Sequence, residues 1–143
     1  RMMERSFMTL CVVYHKEKRI NFAGAMNDLY IIRDNDILTY HGDRHSIGTS
    51  GILDDNKDIT YTSQMIDCYN GDIFYMFSDG YVDQFGGPEH KKFKHRRFKQ
   101  LLLYIHKLPA NDQKSMLNRR LQEWKGANDQ TDDISVLGFE PWA

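Results

Sequence analysis

Ile73-Phe74-Tyr75-Met76-Phe77 is apolar at every position. A strand with one wet face alternates apolar and polar residues, so this unbroken run predicts a strand covered on both faces, in the middle of a layered structure. Two covers are then required. Phe93, Phe98, Leu101, Leu102 and Ile105 fall close to helical spacing, as do Met116, Leu117, Leu121 and Trp124, and two such helices would form one cover. The second helix is predicted to begin after Pro109, near Asn111 or Asp112, and to stop at Gly126. The other cover is predicted to be a second sheet, with strands drawn from the first part of the chain. Thr9 to Tyr14 and Ile20 to Ala25 flank the polar turn His15 to Arg19, and Leu29 to Arg33 and Ile37 to Tyr40 flank Asp34-Asn35-Asp36. Residues 41–58 read as a loop punctuated by Gly42, Gly48 and Gly51, and Ile59 to Met65 as a further strand. The predicted fold class is α+β: an antiparallel β-sandwich with flanking helices.

Chemistry concentrates at two strand tips. Asp79 comes just after the run Ile73 to Phe77, whereas Asp132 and Asp133 come just before the run Ile134 to Phe139. Antiparallel neighbours would put these acids on one rim. Carboxylates held close together repel and raise each other's pKa unless a cation or a shared proton lies between them. Neither tip has a Cys or His beside it, which disfavours zinc and favours magnesium or manganese. The plain alternative is a pair of ordinary turn residues flanking strands. Ser78 lacks a glycine elbow and an evident base, which argues against a serine nucleophile. Asn128 to Asp133 lacks the central glycine and terminal glutamate of an EF-hand.

Bulk properties narrow the function classes. With 143 residues the chain suits one domain over 1–143, and a formal net charge of −1 gives no global field toward nucleic acid or an anionic membrane. The sequence shows no membrane-length apolar stretch and no signal peptide, and Cys11 and Cys68 sit in strand-like runs as reduced core residues of a cytoplasmic protein. Lys91, Lys92, Lys94, His95, Arg96, Arg97 and Lys99 form a basic cluster, read as a solvated helix face in preference to a docking surface for an acidic or phosphorylated partner.

Phe77-Ser78-Asp79-Gly80-Tyr81-Val82-Asp83-Gln84-Phe85-Gly86-Gly87, followed by Asp132-Asp133-Ile134-Ser135-Val136, resembles the metal-dependent serine/threonine protein phosphatases of the 2C type, and more narrowly their bacterial SpoIIE-like branch. Phe22 to Asn27 before Leu29-Tyr30, Gly42 to Gly48, and Gly71-Asp72 are similar to that branch in the same order. The resemblance implies a phosphatase that hydrolyses phosphoserine or phosphothreonine in a bacterial signalling pathway, using water activated by Mn2+ or Mg2+. Two ions are implied in an intact domain, and one or none in this chain. Asp79 and Asp132 match metal ligands, Asp133 beside them either supports a ligand or simply opens the strand, Gly80 adjoins Asp79, and Arg44 and His45 fall toward the substrate side, with a structural role preferred for His45. The family's first metal motif, an aspartate followed by glycine, falls upstream of the matched sequence, and Asp28, Asp34 and Asp43 already belong to other matches.

This reading expects a single partial domain lacking its N-terminal part, cut from a longer polypeptide whose parent can be membrane-tethered. The partial domain is expected to have low activity and to pair through exposed sheet edges as a homodimer. A phosphoprotein is the expected partner, with no nucleic acid and no membrane insertion of this segment. A non-catalytic phosphatase-like module for partner binding or signal relay is the alternative.

Overall fold

The computed structural model describes residues 6–47 and 59–143. Its first two hairpins follow the sequence pattern: β1 (Met8–Tyr14) with β2 (Arg19–Ala25), then β3 (Leu29–Arg33) with β4 (Asp36–Tyr40). β5 (Gln64–Asp67) and β6 (Ile73–Phe77) follow, then a one-turn helix α1 (Gly80–Asp83) and a short ribbon of β7 (Phe85–Gly86) and β8 (Lys91–Lys92). Helices α2 (Lys94–Ile105) and α3 (Ala110–Lys125) precede the last strand, β9 (Val136–Phe139). Two antiparallel sheets result, in the orders β1-β2-β5 and β4-β3-β6-β9.

The run 73–77 is covered on both sides. Phe74 packs between the sheets with Ile20, Phe22, Leu29, Ile31, Ile66, Cys68 and Trp142. Tyr75 and Phe77 point the other way, into a second core with Tyr30, Tyr81, Phe93 and the α2 residues Phe98, Leu101, Leu102 and Ile105. Phe98 sits in this core at ring-centroid distances of 4.9 Å from Phe77 and 5.0 Å from Tyr81, separations at which aromatic pairs add to the burial of area. The result is sheet on sheet with helices outside one of them. On the other sheet Met8, Leu10, Val12, Tyr14 and Met65 are exposed. Cys11 and Cys68 are free thiols that burial pushes up to about 11.

Three elements differ from the sequence reading. The strand expected over Ile59 to Met65 begins only at Gln64, because the preceding residues bond to the 41–47 loop instead of a ladder. There the Thr62 N–H and hydroxyl donate to Asp43 (2.6 and 2.9 Å), and the Tyr61 hydroxyl donates to the Ser46 carbonyl. The last strand starts at Val136 and not Ile134, since the Ser135 backbone is engaged with Ser78. Lys91 and Lys92, grouped in sequence with the start of α2, pair across the ribbon with Gly86 and Phe85. Gly48 and Gly51 lie outside the described residues. α3 does begin after Pro109, and Gly126, with φ 54°, ends it in a conformation that side chains disfavour.

Asp72 locks the entry to β6. Only 1% exposed, it accepts from Arg33 Nε (2.9 Å), Arg33 Nη2 (2.6 Å) and the Tyr69 N–H (2.9 Å). Asn in its place presents one acceptor oxygen and no charge to the guanidinium fork. Asp72→Asn is therefore expected to lower unfolding free energy by about 2 kcal/mol, as read by urea titration.

Candidate metal centre

Antiparallel pairing of β6 with β9 aligns Phe77 with Val136, so the chain leaving one strand meets the chain entering the other. Three hydrogen bonds lace the tips. The Ser78 N–H donates to the Ser135 carbonyl (3.0 Å), the Ser135 N–H to Ser78 Oγ (2.9 Å), and the Ser78 hydroxyl to the Asp133 carbonyl (3.0 Å). Ser78 thus acts as a splice between strands. Gly80 is buried against the same junction, where a Cβ would overlap the Asp133 carbonyl. Asp133 contributes its backbone here, with its N–H held by Asp132 Oδ1 (2.7 Å).

Asp79 leaves this junction toward a cleft of about 380 Å3, whose lining also includes Asp28, Asp83, Tyr30 and His95. Its carboxyl is raised from the usual carboxylate value, first by burial and then by Asp83, with smaller upward pushes from Asp28 and Asp132 and an opposing pull from His95. Asp28 is buried in the same lining, accepting from the Gly42 N–H (3.1 Å) and Arg44 Nη2 (3.3 Å), with His41 Nδ1 at 3.2 Å. The Tyr30 hydroxyl lies 2.8 Å from His95 Nδ1, and burial followed by Asp28 and Asp79 pushes its pKa upward.

Arg44 lines the cleft, while Asp132 lies beyond its lining and His45 is an exposed residue of the neighbouring loop. Sequence reasoning weighed Asp28 and set it aside, and passed over Asp83 and the cleft role of His95 and Lys99. Helical spacing could have grouped the last two, since residues four apart share a face. A larger apolar cleft of about 920 Å3 between α3 and β9 holds none of these groups.

All the acidic donors are oxygens, which suits a hard cation such as Mg2+ or Mn2+. Among the described residues, however, no three His, Cys, Asp or Glu side chains are gathered as a ligand set. The carboxylate oxygens at and beside the tips suit such a cation in kind without completing a coordination shell among the described residues.

The raised pKa has a stability consequence with a definite sign. A carboxyl whose folded value lies above its unfolded value binds its proton more tightly when folded, so its contribution favours folding most below the ordinary value of 3.8 and is lost as pH rises through the raised value. Asp79→Asn removes this term. Without divalent cation, the variant is expected to gain stability relative to wild type between pH 4 and pH 7, as read by paired thermal melts. A difference that stays constant across that range would show Asp79 to be unperturbed.

The two antiparallel sheets, the helical cover and the joined strand tips are the architecture of PP2C-type phosphatase domains. The chain belongs to the stage II sporulation protein E (SpoIIE) family, whose profile matches residues 2–141. The SiaA PP2C domain of Pseudomonas aeruginosa superposes with a TM-score of 0.77 at 30% identity, over 87% of this chain and 47% of that domain. The phosphatase domain of SpoIIE from Bacillus subtilis gives 0.69 at 14% identity, over 96% and 59%. The RsbU and RsbW domains of a Mycobacterium tuberculosis protein give 0.70 at 16% identity, over 95% and 36%. The chain therefore spans about half the length of the solved SiaA and SpoIIE domains it matches. No curated protein sequence matches it. Among the described residues no helix is long and apolar enough to cross a membrane.

Proposed function

We propose that this chain forms part of a metal-dependent phosphatase that hydrolyses phosphoserine or phosphothreonine in a bacterial cytoplasmic signalling protein. The observation that supports the reading best is the antiparallel register of β6 with β9, laced by the three Ser78 hydrogen bonds, which brings the chain leaving β6 at Asp79 against the chain that enters β9 from Asp132. A divalent cation there would supply a water of lowered pKa and would neutralise phosphoryl oxygens. In this reading Asp79 and Asp132 supply the carboxylates, Ser78 and Gly80 keep the tips in register, and Asp28 fixes Arg44 in the cleft lining. Asp133 and His45 have subordinate places in this proposal, beside the junction and at the cleft's approach.

The test is Mn2+-dependent release of phosphate from a phosphoserine peptide by the full-length protein, with EDTA as control. Turnover that is lost with EDTA and restored by Mn2+ supports the reading, and metal-independent or absent turnover overturns it. One observation favours the non-catalytic alternative, namely the incomplete ligand set among the described residues, and calorimetry with Mn2+ separates the two. The proposal includes self-association through the outer edges of β1, β4 and β9, which light scattering would read as a dimer mass.

A further inference from the structure

The α2 wall of the cleft is built in a way that its own helix does not favour. Lys94, His95, Arg96 and Arg97 fill the first turn of α2, which has no acidic residue and no side-chain cap. A helix N-terminus carries partial positive charge and prefers anions, so the three cations there, Lys94, Arg96 and Arg97, act against the macrodipole. Two cations of this basic segment have other work: Arg97 donates to the Phe93 carbonyl and lies over Trp124, and Lys92 pairs with Asp83. Lys94, Arg96 and Lys99 have no carboxylate partner among the described residues.

Lys99 is the best placed of these. It is half-buried, lines the same cleft as Asp79, and its ammonium lies 5.0 Å from the centre of the Tyr30 ring. His95, one turn earlier, is fixed by its 2.8 Å contact with the Tyr30 hydroxyl. Tyr30 therefore orients both side chains from beneath. Of the other charged lining groups, Arg44 is committed to Asp28 and Asp83 to Lys92, which leaves Lys99 beside Asp79 as the lining cation without a carboxylate partner among the described residues.

We propose that this wall, with Lys99 and His95 in the cleft lining and the exposed Lys94 and Arg96 on the same first turns of α2, is a recognition surface for acidic residues flanking the phosphorylated residue of a peptide substrate. The inference rests on the phosphatase reading for its substrate class and makes that class narrower: a phosphoprotein segment rich in Asp or Glu. An anionic segment relieves the crowding of positive charge at the helix start and meets a cation already held in place. Opposite charges across a cleft of this kind act on affinity and encounter more than on chemistry.

The test compares fluorescein-labelled phosphoserine peptides carrying Asp or Ala on both sides of the phosphoresidue. Anisotropy with the metal-free full-length protein measures binding, and hydrolysis with Mn2+ gives kcat and KM separately. The Asp-flanked peptide is expected to bind at least about tenfold more tightly, with the advantage shrinking as NaCl is raised. Lys99→Glu is expected to remove that advantage, and to act mainly through KM in hydrolysis. Lys94→Glu with Arg96→Glu, both at exposed positions, should weaken it without loss of the folded state. Equal affinity of wild type for the two peptides, or a Lys99→Glu variant that retains the preference, would overturn the proposal. Since binding is read without hydrolysis, an inactive but discriminating protein sinks the phosphatase reading and leaves the surface, whereas an active but indifferent one does the reverse.

Discussion

Asp79→Asn in the full-length protein is expected to lower Mn2+-dependent kcat/KM toward a phosphoserine peptide by at least about a hundredfold, a loss of the size that follows removal of a group holding or orienting a catalytic ion. Asn keeps the size of the side chain and removes only its charge, so the β6–β9 junction should survive. Indeed the metal-free variant should be the more stable protein at pH 7, because the charge it loses is one that burial and Asp83 disfavour. Opposite movements of stability and activity distinguish a lost ligand from a damaged fold. If, as proposed, both carboxylates hold one ion, Asp132→Asn should weaken the same step and the double variant should fall little further than Asp79→Asn alone, since groups that act on one ion are not additive. Turnover within twofold of wild type for Asp79→Asn would move the chemistry away from this cleft.

The sequence carried the layering because that information is local in period. Five consecutive apolar residues cannot be a half-wet strand, and Phe74 and Tyr75 accordingly face two separate cores. Pro109 and Gly126 marked the bounds of α3 for equally local reasons. The start of β5 was not legible, because what delays it is Asp43, nineteen residues away, taking hydrogen bonds from Thr62. The candidate centre divided in the same manner. Strand direction placed the chain at Asp79 beside the chain entering β9, but the rest of the cleft lining depends on contacts no spacing rule describes: Asp28 with the Gly42 N–H, and Tyr30 with His95 across 65 positions. Asp28 reads as a polar residue ahead of a strand, and only the folded chain buries it.

The second large effect belongs to Gly80, where two physical terms of opposite sign compete. Gly80 is the first residue of α1, and Ala is the better helix former there by at most about 1 kcal/mol. Against this, a methyl group at Gly80 overlaps the carbonyl carbon and oxygen of Asp133 and the Ile134 side chain. Backbone cannot rotate aside as a side chain does, and overpacking of this kind costs about 3 kcal/mol. The clash wins, so Gly80→Ala is expected to destabilise by about 2 kcal/mol and to lower the melting temperature by about 4–8 °C for a chain of this size. Relief comes by separating α1 from the 133–134 backbone, which strains the three Ser78 hydrogen bonds and carries Asp79 away from Asp132. Under the proposed metal site, the stabilisation expected from Mn2+ should fall together with the melting temperature. Gly126→Ala provides the contrast: its cost is conformational, at φ 54° with open space around it and no contact with the strand tips, so it should lower stability while leaving the response to Mn2+ intact. A Gly80→Ala protein that melts and responds to Mn2+ like wild type would mean that this contact does not hold the two carboxylates together.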